Sequence, residues 1–207
     1  MTEASLGWLP LFGANARRTL PGQGPGQRLT TLACLAHVSL DAAFVSPIML
    51  FRGLAHLALR PPCFSPGGCT FRLTDKDIAD IAMALPKLEE ALFGHVCPVN
   101  SCLTTVSSLL FLSARCKNLT WLEIHFNTTN LRRDLESMVE NPRLRDLCAL
   151  PKCPLGQLIV SQAPFLIEEG DYEPVLAGFR CIFPSLGGVA GMVEGWFNLT
   201  SMMWGME

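Results

Sequence analysis

Five stretches of the chain open on a leucine and repeat the spacing L-x-x-[LVA]-x-[LIVFG], and no other feature restricts the fold so tightly. They carry Leu54, Leu57 and Leu59; Leu88, Ala91 and Phe93; Leu119, Leu122 and Ile124; Leu155, Leu158 and Val160; and Leu186, Val189 and Gly191. The leading leucines stand 34, 31, 36 and 31 residues apart. A period held this closely is the signature of stacked supersecondary units, each too small to bury an apolar face alone. The last unit is the most degraded, as a terminal unit tends to be.

Each of three strands is preceded by a helical pattern. Thr74 followed by Asp77 has the form of a capping box, Ile78, Ile81, Ala82 and Leu85 share one helix face, and Pro86 ends it before "KLEEALFG". Val106, Leu109, Leu110 and Ser113 make a second face before "KNLTWLEIHFN". Tyr172, Val175, Leu176 and Phe179 make a third, behind an acidic first turn at Glu168 and Glu169, before "FPSLGGVAG". The expected fold is α/β: a leucine-rich-repeat-like solenoid of about five helix–strand units, with inward apolar side chains on short parallel strands. Asn127 falls where a ladder asparagine would bond the backbone of its turn, and the other four units lack one, so the array is expected to be irregular.

Residues 1–28, with "LPGQGPGQ", have no apolar period and are expected to form a flexible leader; 29–194 form the repeat domain, and 195–207 an apolar tail. Gly22, Gly24 and Gly26 resemble a phosphate-binding loop only weakly, because no apolar strand precedes them. With 49% hydrophobic and 16% charged residues the chain is not globally disordered. A net charge of -2 gives no footprint for a nucleic acid or an anionic membrane. The run from Leu29 to Phe51 is interrupted by His37, Asp41 and Pro47, which argues against a spanning helix.

The N-terminus shows no export signal, and nine cysteines is an odd count, so reduced thiols and a cytoplasmic or nuclear address are expected. That address makes the sequons at Asn118, Asn127 and Asn198 irrelevant. No G-x-S-x-G, H-E-x-x-H, Walker or EF-hand motif occurs. Cys63, Cys69, Cys97 and Cys102 are the best zinc candidates, but five and four intervening residues exceed the usual spacing of paired ligands. No catalytic residue, metal or cofactor is expected. His37 and His95 read as structural, and His56 and His125 as exposed strand residues.

Four stretches, "CTFRLTDKDIADIAMALPKLEEALFG", "NSCLTTVSSLLFLSARCKNLTWLEIHFNTTNLRRDLESM", "NPRLRDLCALPKCPLGQLIV" and "EPVLAGFRCIFPSLGGV", resemble the leucine-rich-repeat region of fungal F-box-like proteins over about residues 50–190. The resemblance implies a ribonuclease-inhibitor-like fold that holds a protein partner, a ubiquitin-ligase substrate being the usual case. Recruitment of a cullin ligase adaptor requires an F-box, and residues 1–50 contain no recognisable one. The tail "MVEGWFNLTSMMWGME" departs from the family, as a truncated relic would.

Side chains alternate along a strand, so residues beside the inward ones project onto the opposite, concave side. The expected partner-binding residues are Trp121, Glu123 and His125 on the central unit, with His56, Arg60, Glu90, Gln157 and Ser161 around them. Trp121 is the expected anchor, since large aromatic residues dominate interfaces. Two rival readings are a thiol-dependent hydrolase or redox enzyme, which needs an activated cysteine, and a membrane-associated protein, whose apolar terminal segments Asp41 and Glu194 interrupt.

Overall fold

The computed structural model describes residues 29–34, 39–59, 71–93, 103–140, 150–160 and 172–191. Six strands of four residues each, β1 (Thr31–Cys34), β2 (His56–Leu59), β3 (Glu90–Phe93), β4 (Trp121–Ile124), β5 (Gln157–Val160) and β6 (Gly188–Gly191), form one sheet. Every pairing is parallel, and strand order follows chain order. Parallel neighbours need a crossover. Helices α2 (Asp75–Ala84), α3 (Val106–Arg115), α4 (Leu131–Glu140) and α5 (Tyr172–Ile182) lie in the later four crossovers; the first holds the short α1 (Ala42–Val45) and a 3-10 turn at Ile48–Leu50. The chain is therefore an α/β protein whose parallel strands alternate with helices. No helix among the described residues is long and apolar enough to cross a membrane.

The apolar spacing sets the register. Leu32, Leu57, Ala91, Leu122, Leu158 and Val189 stand in one cross-strand row, and all are buried. They share a single core with Ile78, Ile81 and Ala82 of α2, Leu109 and Leu112 of α3, and Val175 and Phe179 of α5. The five leading leucines are buried as well. A sixth unit is present: Leu29, just before β1, and Leu32 and Cys34 within it repeat the spacing. Only 25 residues separate Leu29 from Leu54, a shorter interval than the others, and the intervening helix has only four residues.

The same turn leads from helix to strand in three units. In "LPKL", "CKNL" and "FPSL" the first residue is buried and its N–H caps the helix: Leu85 to the Ile81 carbonyl (2.8 Å), Cys116 to Leu112 (2.9 Å), Phe183 to Phe179 (2.8 Å). Two exposed residues follow, and the leading leucine then closes the turn by donating to the first carbonyl, at 3.3, 3.2 and 3.0 Å. Pro86 and Pro184 fit because the middle positions need no donor. At the other end of α2 the capping box is complete: the Asp77 N–H donates to Thr74 Oγ1, and the Thr74 N–H to Asp77 Oδ2.

Polar contacts join one helix to the next. The Asp75 carboxylate accepts from the Thr105 N–H (2.7 Å), the Thr105 hydroxyl (2.7 Å) and the Ser108 hydroxyl (2.5 Å), which ties the start of α2 to that of α3. Ser113 of α3 donates to the Ile182 carbonyl at 2.6 Å. At Gly178 of α5 a Cβ would lie 2.9 Å from the Leu135 methyl carbons, so glycine lets α4 and α5 approach.

Some details differ from expectation. The described acid in the first turn of α5 is Glu173; Glu168 and Glu169 lie outside the described residues, as do the leader and the tail. Asn127 Oδ1 accepts from the Thr129 N–H two residues on (2.9 Å), a local turn, and it is the Asn127 backbone N–H that reaches the preceding unit, at the Thr104 carbonyl (2.9 Å).

Leu122, fully buried in the middle of the sheet, is the sharpest stability probe. Leu122→Ala is expected to cost about 2 to 5 kcal/mol in urea denaturation. Exposed Gln157→Ala is expected to stay within about 0.5 kcal/mol. Equal effects would mean that the register is not the one described.

Candidate functional site

The face of the sheet opposite the core carries the third and fifth positions of the apolar pattern. Thr31, His56, Glu90, Trp121, Gln157 and Gly188 stand in register as one row across all six strands. Ala33, Ala58, Leu92, Glu123, Ile159 and Ala190 form a second row beside it. Neither row contains a lysine or arginine. The His56 and Glu90 side chains are 40% and 43% exposed and meet at 3.3 Å, Nδ1 to Oε2, a pair that is ionic only when the imidazole is protonated. Gln157 is exposed and Trp121 half-buried. The Trp121 indole Nε1 is buried and finds no hydrogen-bond acceptor among the described residues.

Two expected members of this surface are buried. Glu123 is only 3% exposed and His125 only 2%. Glu123 sits mid-strand, with Leu92 and Ile159 in register on either side. His125 follows the end of β4, where alternation no longer governs direction. Its ring packs against Phe71 (centroids 5.8 Å apart, planes at 59°), its N–H donates to the Phe93 carbonyl, and its own carbonyl accepts from the Thr104 hydroxyl at 2.7 Å. His125 is thus a core residue rather than an exposed strand residue. Arg60 and Ser161 lie outside the described residues. Of the eight expected residues, His56, Glu90, Trp121 and Gln157 come together.

Beside Trp121 the face opens into a groove of about 430 Å3, lined by Thr120, Trp121, Gly156, Gln157, Gly188, Val189 and Ala190. It exists because two successive units enter their strands on glycine. Gly156 and Gly187 occupy the place of Ala55, Glu89 and Thr120 in the earlier units. At Gly187 a Cβ would press on the Gly156 carbonyl at 3.2 Å, whereas at Gly156 a Cβ has ordinary clearance, 3.8 Å from the Thr120 carbonyl. Both glycines fall at unrestricted positions of the leucine spacing, so the repeat pattern did not mark the groove.

Among the described cysteines Cys34, Cys116 and Cys153 are buried and Cys181 is exposed. Burial, with Cys153 close by, pushes the Cys116 thiol up to about 12, against a smaller opposing effect of Lys117. Burial also raises Cys153. A nucleophilic thiol needs the opposite shift. Cys63, Cys69, Cys97 and Cys102, the zinc candidates, lie outside the described residues; within them no group of three or more His, Cys, Asp or Glu is placed to hold a metal.

Iodoacetamide at neutral pH is expected to label Cys181 readily, and Cys116 and Cys153 only after unfolding, as read by peptide mass spectrometry. Preferential labelling of Cys116 or Cys153 in the folded protein would contradict the burial described for them. No protein-family model and no curated protein matches the chain, so the functional reading rests on the open face of its own sheet.

Proposed function

We propose that the chain is a protein-interaction module, an irregular leucine-rich-repeat-like solenoid that docks a partner protein on the open face of its sheet. The observation that carries this reading is the asymmetry of the sheet. One face is sealed by apolar side chains shared with the helices, while the other bears a cross-strand row of partly exposed polar and aromatic residues beside a groove. Such a face offers area, an aromatic anchor and hydrogen-bonding groups, which is the composition of an interface. Trp121 is the anchor, with its buried indole nitrogen at the centre of the described row. Capture of a ubiquitin-ligase substrate is the finer form of this reading and is carried by the sequence resemblance alone.

A pair of charge substitutions tests the face. Gln157→Arg places a cation at its exposed centre, and Arg115→Glu alters the exposed end of α3 instead. With both variants melting like the parent, Gln157→Arg is expected to weaken capture of the cellular partner at least tenfold, about 1.4 kcal/mol. Arg115→Glu is expected to leave it within about twofold. Loss of binding in the α3 variant alone would move the site to the helices.

A further inference from the structure

The row that supplies the docking face also sets the chemistry of what it accepts. Two features lie along it in register. Over β4 to β6 is the groove, lined by Trp121, Gly156, Gly188 and Ala190, with Thr120 and Gln157 as its uncharged polar residues and Val189, whose side chain belongs to the core, at its floor. On β3, one strand beyond Trp121, is the Glu90 carboxylate, 43% exposed and next to the exposed Glu89. The two rows contain no lysine or arginine among the described residues, and His56 beside Glu90 is a cation only when protonated. The accessible charge of the row is therefore negative at one end, and its cavity is apolar at the other.

Resting on the docking reading above, we propose that this face takes an extended peptide segment of the partner, lying across the strands, with an apolar side chain in the groove and a lysine or arginine three residues away at Glu90. The spacing follows from the register. Gln157 at the middle of the groove and Glu90 are in the same row two strands apart, about 10 Å at the usual strand separation, which an extended chain covers in about three residues. A cation travelling that way passes Trp121, whose ring offers its aliphatic stem apolar surface and its charge a π face. The opposite arrangement, an acidic residue at that spacing, meets Glu90 with like charge.

The probe is a short fluorescein-labelled peptide of Gly and Ser bearing one Leu and, three residues on, one Arg, titrated with the full chain and read by anisotropy. Saturable binding is expected, weakened at least tenfold when the peptide's Arg is replaced by Glu or its Leu by Ser, and weakened by salt. On the protein, Gly156→Leu fills the groove without backbone clash and is expected to abolish binding; Glu90→Gln is expected to erase the preference for Arg over Gln in the peptide. No saturable binding, equal affinity for the Arg and Glu peptides, or indifference to Gly156→Leu overturns the proposal. So does concentration-dependent self-association in sedimentation that Gly156→Leu removes, since the occupant is then a second copy. If the peptide fails while Gln157→Arg still blocks partner capture, the peptide chemistry is wrong and the docking face stands; if both fail, the face itself is wrong.

Discussion

One hydrogen-bonding device recurs at every strand entry and fixes where everything else goes. A single carbonyl accepts two successive N–H groups from the next unit. Thr30 takes Ala55 and His56, Ala55 takes Glu89 and Glu90, Glu89 takes Thr120 and Trp121, Thr120 takes Gly156 and Gln157, and Gly156 takes Gly187 and Gly188, at 2.8 to 3.4 Å. Each unit is thereby donor to the one before and acceptor for the one after. Because side chains alternate in a strand, this register puts every leading leucine and its partners on the helix side, and His56, Glu90, Trp121 and Gln157 in one row on the other. The core and the candidate site are two sides of one ladder.

Much of the fold was legible because the apolar code has to be local. A four-residue strand needs its two inward side chains and a leading leucine, so five units show as five spaced triplets in the sequence. The capping box at Thr74 and the stop at Pro86 are equally local, and both are present. β1 escaped because its link to the next unit is short and holds a four-residue helix, which breaks the period without breaking the spacing within the strand.

The site was legible in part, and for a different reason. Alternation correctly separates His56, Glu90, Trp121 and Gln157 from the core, but exposure depends on neighbours that alternation cannot see. Glu123, between Leu92 and Ile159 in the sheet, is buried although its position alternates with the core, and His125 is drawn inward against Phe71, some fifty residues earlier in the chain. The groove was hidden because it consists of missing side chains: Gly156 and Gly188 fall at unrestricted positions of the leucine spacing, yet it is there, beside Trp121, that the cavity opens. The buried thiols Cys116 and Cys153 take the small apolar places that helix and turn leave between units, which accounts for their raised titration as well as their burial.

Amide hydrogen exchange followed by NMR measures the ladder directly. The paired amides of Ala55 and His56, Glu89 and Glu90, Thr120 and Trp121, Gly156 and Gln157, and Gly187 and Gly188 are predicted to be protected together. The amides of Lys87, Lys117, Asn118 and Ser185, at the exposed middle positions of the turns, are predicted to exchange near the rate of an unstructured chain. Protection confined to one half of the pairs, or exchange at the paired positions as fast as in the turns, would contradict a single continuous parallel ladder.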